Sequence, residues 1–356
     1  MLPPLPLLFS GTVILVVFGM SLGIATYSTW AERKVAAFMQ DRSGPNRAGW
    51  GGLLQPLADA GKMFFKEEFF PATSNRALFV IGPCVAMITA CMAWAVIPFG
   101  DRLIIDGVTY LVQGIEINIG MLYIFGVVSL GVYGLMIGGW ASNNKFSLLG
   151  AVRAASQNIS YEIAMGLSLI ALLMMTQTLS LREIADQQSH GGWNVLYQPL
   201  GFIIFLVCAF AETNRTPFDL PECETELVGG YHTEYSSMKL GLYLFAEYVN
   251  IFVASAVMST LYFGGFNFPF IAETRAFLID YFDSVTIGTN LTTALSIATL
   301  FTKIFFFIFF FMWVRWTLPR FRYDQLMHLG WKILLPLAIL NIVATGAVIL
   351  IRQELF

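Results

Sequence analysis

The sequence predicts an all-α integral membrane protein, a single domain over residues 1–356 built as a bundle of about eight transmembrane helices. Of its residues, 57% are hydrophobic and only 12% are charged, whereas an ordinary globular domain carries about 25% charged residues. Apolar segments recur near the length of roughly 20 residues that crosses about 30 Å of hydrocarbon. They lie near 6–29, 77–99, 117–140, 159–178, 196–211, 240–263, 291–313 and 333–351. Because lipid cannot satisfy backbone polar groups, each segment should be a helix.

Basic residues indicate the orientation of this bundle. Fifteen of the 20 Lys and Arg lie in or beside the odd-numbered loops between spans, and the even-numbered loops hold only Arg102, Arg182 and Arg275. Positive charge marks the cytoplasmic or matrix side, so both termini should face the periplasm or intermembrane space. We therefore expect a multi-pass protein of a bacterial or mitochondrial inner membrane. The formal net charge of −3 argues against a nucleic-acid partner.

The segment from about 53 to 68 predicts an amphipathic helix. Its polar and its apolar residues each recur at steps of four, three and four, which places the two sets on opposite helix faces. The polar set is Gln55, Asp59, Lys62 and Lys66, and the apolar set is Leu53, Leu57, Ala60 and Phe64. Such a helix should lie at the membrane interface. Two interpretations remain open: a surface helix among the headgroups, or one wall of a cavity for an amphiphile, faced by Asp59 and Lys62.

A dense run of carboxylates follows the fifth span, in a loop of about 212–239 on the cytoplasmic or matrix side. Ionisable groups beside a bilayer are costly and suggest an ion or proton path. The loop holds Glu212, Arg215, Asp219, Glu222, Glu224, Glu226 and Glu234, and the spans themselves carry Glu162, Glu247 and Lys303. Carboxyls that share one polar cavity titrate as a coupled set. The alternatives are a single Glu bonded to a Ser or Tyr of a neighbouring helix, and a structural ion pair for Lys303.

The sequence gives little evidence for a metal site, and its last odd-side loop is basic. Cys84, Cys91, Cys208 and Cys223 show no C-x-x-C pairing, so we expect no metal or iron–sulfur site on this chain. The last odd-side loop carries Arg315, Arg320 and Arg322, which could anchor the protein, pair with the acidic loop, or hold a negatively charged partner surface.

These stretches together closely resemble the H-type membrane subunit of the proton-pumping NADH:quinone oxidoreductases, respiratory complex I, whose mitochondrial counterpart is NADH dehydrogenase subunit 1. The resemblance covers essentially the whole chain. Its motifs are Glu32-Arg33-Lys34 with Gln40–Asn46, Leu54-Gln55-Pro56 with Ala58-Asp59, Trp140–Asn144, Ser160-Tyr161-Glu162, Ala211–Pro221 and Pro319–Gln325. The resemblance implies a subunit that joins the membrane arm to the peripheral arm, helps form the quinone-access tunnel and couples quinone reduction to proton translocation.

The resemblance also implies where the cofactors and partners are. Redox chemistry, with NAD, FMN and iron–sulfur clusters, would take place on partner subunits, and this chain would bind none of these groups by itself. Its partners would be the peripheral quinone-site subunits, adjacent small membrane-arm subunits, the quinone and lipids. The first span, the amphipathic helix and the sixth span would help form the tunnel.

The expected site residues fall into three groups, and none of them is expected to be catalytic. The tunnel group is Arg33, Arg42, Asp59, Lys62 and Phe64. The proton-path group is Glu162, Glu212, Arg215, Asp219, Glu222, Glu224, Glu226, Glu234, Glu247 and Lys303, and the junction group is Arg315, Arg320 and Arg322.

Three positions depart from the family's pattern. The family usually has Gly in place of Cys223 and Ser in place of Thr225, and Glu116 is an acidic position that mitochondrial relatives need not keep. Because Cys disfavours the positive φ angles that Gly permits, the family's pattern does not fix the backbone between Glu222 and Glu224 in this chain.

Two other functions remain as alternatives. The related subunit of a membrane-bound, energy-converting hydrogenase would share the architecture without a quinone, and the match around Asp59 and the Gly44-Pro45-Asn46 turn disfavours it. A stand-alone ion transporter would commonly show paired halves with broken helices, and the sequence shows no convincing pair.

Overall fold

The structure is a computed structural model that describes residues 5–355; the side chains of residues 5–7, 190, 224, 225 and 355 lie outside the described part. Most of the chain is helical. The α-helices are α1 (Leu5–Met39), α2 (Gln55–Phe65), α3 (Arg76–Ala93), α4 (Gly120–Ala141), α5 (Lys145–Thr176), α6 (Leu181–Gly191), α7 (Asn194–Tyr197), α8 (Pro199–Glu212), α9 (Glu224–Leu227), α10 (Ser237–Tyr262), α11 (Ile271–Phe282), α12 (Val285–Thr317), α13 (Tyr323–His328) and α14 (Leu335–Leu355).

Seven helical stretches of the described chain are long and apolar enough to cross a membrane. They correspond to seven of the eight predicted spans and comprise α1, α3, α4, α5, α10, α12 and the continuous stretch from α13 to α14. The remaining predicted span, 196–211, corresponds to α8, an apolar helix of 14 residues. At 1.5 Å per residue α8 is about 21 Å long, which is shorter than the hydrocarbon core. An eighth crossing and the sides of the two termini therefore stay predictions.

Several helices extend beyond the spans predicted for them, mostly into the odd-numbered loops, although α12 begins at Val285, before its predicted start at 291 and so in an even-numbered loop. Helix α1 continues from the predicted end at 29 to Met39 and so carries Glu32 and Arg33 on helical turns. Helix α5 begins at Lys145, well before the predicted start at 159. Polar residues hide these extensions from a search for apolar spans, but they do not disfavour helix formation.

An antiparallel hairpin of β1 (Pro98–Ile105) and β2 (Val108–Gln113) interrupts the helical architecture between α3 and α4. Its two-residue turn is Asp106-Gly107, and both residues have positive φ, 50° and 76°. That geometry is the one that Asp-Gly favours in tight hairpins. Buried Asp101 holds the hairpin by accepting from Arg182 and Arg275, which belong to α6 and α11.

Helix α10 lies at the centre of the bundle, where it packs against α1, α2, α3, α6 and α12. Beside it, α3 and α4 approach backbone to backbone, because a Cβ at Gly82 would lie 2.9 Å from the Gly138 Cα atom. Small residues permit such contacts between membrane helices. Tyr243 of α10 fills the space that these glycines leave and donates its hydroxyl proton to the Gly134 carbonyl over 3.0 Å.

The acidic loop folds back between α5 and α10 rather than extending into solvent. Gly230 has φ +59°, and a Cβ there would lie 1.7 Å from the Pro221 carbonyl oxygen, so the fold requires glycine. Cys223 has φ −44°, which does not need glycine, and the departure at this position introduces no positive φ. The loop thereby brings Arg215, Asp219 and its own Tyr231 into the protein interior.

Candidate functional site

A cavity of about 560 Å³ lies between α1, α2 and α10 and reaches the end of α12. Its volume is in the range of sites for small organic ligands. The wall is mostly apolar along its length, with Met63, Leu242, Leu244 and Phe245 among the lining residues. Charged side chains line it as well: Glu32, Arg33, Asp59, Arg215, Glu222, Glu247 and Arg315. The cavity thus combines an apolar wall with ionisable groups.

Helix α2 forms one wall of this cavity. Pro56, Asp59, Ala60 and Met63 line it, a spacing that places all four on one face of a helix. The Asp59 carboxylate accepts from Arg33 Nη1 over 2.7 Å and from Gln55 Nε2 over 3.2 Å. Of the two interpretations of this amphipathic helix, the geometry favours the cavity wall.

Three residues expected in the tunnel do not line this cavity. Lys62 and Phe64 lie about 100° around the helix to either side of Met63, and both side chains are exposed. Arg42 is also exposed and donates to the Gln40 side chain over 2.8 Å. The face of α2 that meets the cavity is therefore rotated from the predicted one: Asp59 faces the cavity, whereas Lys62 does not.

Four charged groups meet where the cavity reaches α12. Arg215 lies between two carboxylates, with Nη1 3.6 Å from Glu32 and Nη2 3.5 Å from Glu247. Arg315 also pairs with Glu32, and the Tyr248 hydroxyl donates to Glu32 over 2.7 Å. Burial of unpaired ions is very costly. When Glu32 and Glu247 are both ionised, their charges balance those of the two guanidinium groups.

Arg215 is the centre of that cluster. Its guanidinium lies 4.4 Å from the centre of the Tyr248 ring, and the residue is only 5% exposed. Burial acts to lower the pKa of Arg215, but Tyr248 and the carboxylates of Glu247 and Glu32 more than offset it and raise that pKa. The group is therefore a permanent cation that touches residues from two other segments, α1 and α10.

Further carboxylates continue from this cluster into the bundle. A small polar cavity of about 40 Å³ is lined by Glu247, Tyr231 and Glu212, together with Asn158 and Asn250. Glu212 also interacts electrostatically with Glu162, whose carboxylate accepts from the Ser129 hydroxyl. The structure thus places four carboxyl groups one after another from the large cavity into the bundle, in the order Glu222, Glu247, Glu212 and Glu162.

The outer part of the acidic loop is tied to the last odd-side loop. Arg320 donates to Asp219 over 2.7 Å and to the Cys223 sulfur over 3.0 Å. Burial and then Glu222 raise the pKa of Asp219 to about 7, although Arg320 and Arg215 act in the opposite direction. Asp219 can therefore change its charge near neutral pH.

The other predicted residues of this region lie apart from the buried carboxylates. Glu226 pairs with Arg153 over 2.6 Å, and its side chain is half exposed. Glu234 accepts from Asn144 over 2.5 Å, and Arg322 pairs with Asp324 in an exposed position. The side chain of Glu224 lies outside the described part of the chain. None of the described residues forms a group of His, Cys, Asp and Glu that could hold a metal ion.

The structure places in the site four residues that the sequence does not single out. Glu32 enters the sequence motifs only beside two basic residues, and no pattern points to Tyr231, His232 or Tyr248. Tyr231 contacts Glu222 and Glu247, and His232 Nδ1 lies 3.5 Å from Glu222. Tyr248 directly follows Glu247 in the sequence, and its position one residue after an intramembrane Glu is the signal that could have found it.

The structure does not place Lys303 with these carboxylates. Its ammonium group donates to the backbone carbonyls of Phe263, Gly265 and Asn267, each over 2.7 Å. These carbonyls follow the end of α10, where cations are favourable. The geometry therefore supports a structural role for Lys303 at the end of the central helix.

We expect Lys303→Met to lower stability rather than proton translocation. The substitution leaves three carbonyls without their donor, and each unsatisfied buried group costs about 1–3 kcal/mol. Thermal unfolding and the amount of protein recovered from membranes measure this loss. Exposed Thr302 on the same helix provides a control, since Thr302→Val should change stability by less than about 0.5 kcal/mol. Normal stability with impaired proton translocation would instead make Lys303 a relay residue.

Comparisons with known proteins show a family and several close relatives for this chain. A family model described as NADH dehydrogenase matches residues 11–346. The chain is 65% identical over 338 residues to the H-type subunit of the NADH-quinone oxidoreductase of Flavobacterium johnsoniae, covering 95% of this chain and 94% of the relative. It is 63% identical over 349 residues to an H-type subunit, numbered 1, of the NADH-quinone oxidoreductase of Cytophaga hutchinsonii, covering 98% and 99%. It is 44% identical over 343 residues to NADH-quinone oxidoreductase subunit 8 of Rhodothermus marinus, covering 95% and 96%.

Proposed function

We propose that this chain, which belongs to the NADH dehydrogenase family and is a membrane-arm subunit of NADH:quinone oxidoreductase, provides the passage by which quinone reaches its reduction site. The observation that carries the proposal is the cavity of about 560 Å³ between α1, α2 and α10. An isoprenoid quinone has an apolar tail and a polar headgroup, and the cavity offers an apolar wall together with ionisable groups. Quinone reduction itself would occur on the peripheral partner subunits, which carry NAD, FMN and the iron–sulfur clusters.

The same chain would couple that reduction to proton translocation. Reduction of quinone to quinol consumes protons and changes the charge at the inner end of the passage. The cluster of Glu32, Arg215 and Glu247 borders the cavity and would sense that change. The small polar cavity beside Glu247 and Glu212 has room for water, so a proton could continue by way of water and side chains to Glu162.

The arrangement in the membrane follows from the same proposal. The subunit would lie in a bacterial inner membrane with eight crossings, α8 among them, and with both termini on the periplasmic side. Its odd-side loops would contact the peripheral quinone-site subunits, and its lateral face would contact the small membrane-arm subunits and lipid. Exposed Arg42, Lys62, Phe64 and Arg322 are then candidates for contacts made with those subunits rather than within this chain.

The two alternative functions lose support. Relatives at 63–65% identity are named as H-type subunits of NADH-quinone oxidoreductase, which favours the quinone enzyme over an energy-converting hydrogenase. A stand-alone transporter would have no need of a cavity at the interface that combines an apolar wall with Asp59 and Arg33.

Two alanines of α2 allow a matched test of the passage. Ala60 lines the cavity and Ala58 does not, and both are exposed. Ala60→Trp should fill part of the passage and lower kcat/KM for quinone about tenfold or more, which corresponds to at least ~1.4 kcal/mol. NADH oxidation by a small hydrophilic acceptor, which bypasses the passage, should stay normal.

Ala58→Trp is the control for the bulk of the added side chain. Both variants are assayed in purified, fully assembled complex with quinones of short and long tail. Equal quinone kinetics for Ala60→Trp, Ala58→Trp and the unmodified complex would contradict the proposed passage.

A further inference from the structure

The Tyr231 hydroxyl lies between the carboxyl groups of half-buried Glu222 and buried Glu247. Its oxygen is 3.0 Å from Glu222 Oε1 and 3.0 Å from Glu247 Oε1, and the residue is only 1% exposed. A phenol carries one proton and can donate it to only one of these oxygens. The second contact is a hydrogen bond only if that carboxyl group is protonated and donates to Tyr231. Glu222 and Glu247 also contact each other directly, so the geometry fits two protons shared among three mutually adjacent groups.

The backbone fixes the position of this hydroxyl. Gly230 has positive φ and lies so close to Pro221 that no side chain fits there. On the other side, a Cβ at Gly150 of α5 would lie 2.7 Å from the Tyr231 backbone nitrogen. The ring also packs edge to face on Tyr243, with the ring centres 5.2 Å apart. Tyr231 therefore has little freedom to move away from the two carboxyl groups.

The charges around Tyr231 fall on both sides of it. His232 Nδ1 lies 3.5 Å from the same Glu222 oxygen, and Arg215 Nη2 lies 3.5 Å from the other oxygen of Glu247. Burial raises the pKa of Tyr231 well above its usual value, and the charges of Glu247 and Glu222 raise it further. The phenol therefore stays protonated at rest. Other titratable groups near the three residues are Asp219 and Tyr243, and Glu212 lines the same small cavity as Tyr231 and Glu247.

The position of Tyr231 also joins the two cavities. Glu222 and Glu247 line the quinone-sized cavity, whereas Tyr231 and Glu247 line the small polar one that reaches Glu212. A group that passes a proton between Glu222 and Glu247 would therefore link the acidic loop with the carboxylates inside the bundle.

We infer that the Tyr231 hydroxyl is the proton bridge between Glu222 and Glu247, a role that rests on the proposed proton-coupling function. In one step the proton of the Glu247 carboxyl group passes to the Tyr231 oxygen while the Tyr231 proton passes to the Glu222 carboxylate. Glu247 ends ionised, Glu222 ends protonated and the phenol is unchanged. The reverse step restores the first state. The proton therefore moves toward whichever of the two carboxyl groups has lost its proton to the quinone chemistry.

Tyr231→Phe tests this bridge, because it keeps the ring and removes only the hydroxyl. Tyr235→Phe is the matched control: Tyr235 lies in the same loop, is buried, and has its hydroxyl oxygen 3.1 Å from the Phe79 carbonyl oxygen and 3.3 Å from that of Gly138. In assembled complex reconstituted into vesicles, Tyr231→Phe should lower the protons translocated per electron several-fold and change the pH profile of quinone reduction. Tyr235→Phe should change neither.

Glu247→Gln separates failure of the bridge from failure of the function. If Glu247→Gln lowers the protons translocated per electron and Tyr231→Phe does not, the bridge is overturned and the proposed function stands. If neither does, the proposed function fails as well. Should Tyr231→Phe not assemble, 3,5-difluorotyrosine at position 231 keeps the hydroxyl with a more acidic proton. The pH profile should then move to lower pH, and an unmoved profile overturns the bridge.

Discussion

Replacement of Arg215 by methionine should abolish quinone reduction and reduce the amount of assembled complex. The substitution removes the cation between Glu32 and Glu247, both of which are buried. Removal of one partner from a buried ion pair costs about 3–5 kcal/mol, because the remaining charge has no compensation. The total stability of a domain is only about 5–15 kcal/mol, so a loss of this size should be visible as missing complex in the membrane.

Arg215→Lys distinguishes charge from geometry at this position. Lysine keeps the positive charge, but it has a single ammonium group and cannot present two separate nitrogens to two carboxylates as a guanidinium does. We expect the lysine variant to assemble better than the methionine variant and still to reduce quinone poorly. The measurements are the amount of complex on a native gel and the rate of quinone reduction per complex.

The control for both variants is an arginine that is not in the cluster. Arg102 lies on the hairpin, pairs with Asp101 over 3.4 Å, and has a side chain that is 53% exposed. Exposed ion pairs contribute about 0–1 kcal/mol, so Arg102→Met should leave assembly and activity near normal. Full quinone reduction by Arg215→Met complex would show that the buried cluster is dispensable.

The partners of Arg215 illustrate which part of the site the sequence can predict. The acidic run around it is evident, because carboxylates beside an apolar span are costly wherever the chain folds. Its partners Glu32, Glu247 and Tyr248 come from α1 and α10, and only tertiary packing brings them together. Glu226 and Glu234 belong to the same run, yet Arg153 and Asn144 hold them away from the buried cluster.

Helix α2 shows a second limit. Its period predicts an amphipathic helix, and the helix is present as Gln55–Phe65. The pattern places Asp59 and Lys62 on one face and Ala60 on the other, whereas the cavity is lined by Asp59, Ala60 and Met63. A periodic pattern identifies a polar and an apolar helix face. It does not show which residues line a cavity that contacts parts of both faces.

The hairpin before α4 is absent from the sequence prediction although its signal is present. Asp106-Gly107 stands between apolar residues of high strand propensity, which is the strongest short-range sign of a tight hairpin. Hydropathy leaves residues 100–116 as a loop, because the hairpin is too short to cross a membrane. Local turn chemistry therefore has to be interpreted separately from hydropathy, even in a chain that is mostly membrane helix.

Glu162→Gln should lower proton translocation while the complex still assembles. Glutamine has nearly the shape of glutamate, and its carbonyl oxygen can still accept from the Ser129 hydroxyl. It cannot take up or release a proton, and a positioned acid–base group typically contributes about 10²–10⁴-fold to proton transfer. Translocation measured with a pH-sensitive dye in inverted membrane vesicles should therefore fall about tenfold or more.

Glu183→Gln is the matched control for Glu162→Gln. Glu183 also accepts from a hydroxyl, that of Thr178, but it lies exposed on α6, away from the buried carboxylates. Loss of a titratable group there should leave proton translocation unchanged. A difference between the two variants would therefore show that the effect depends on the location of Glu162 and not merely on the loss of a carboxylate. Glu162 interacts with Glu212. On the proposed path, its loss should stop protons after they have passed the cavity between α1, α2 and α10. Detergent-solubilised complex works against no proton gradient, so its rate of quinone reduction should fall less than the rate of proton translocation. Equal translocation by Glu162→Gln and Glu183→Gln would show that Glu162 is not part of the proton path.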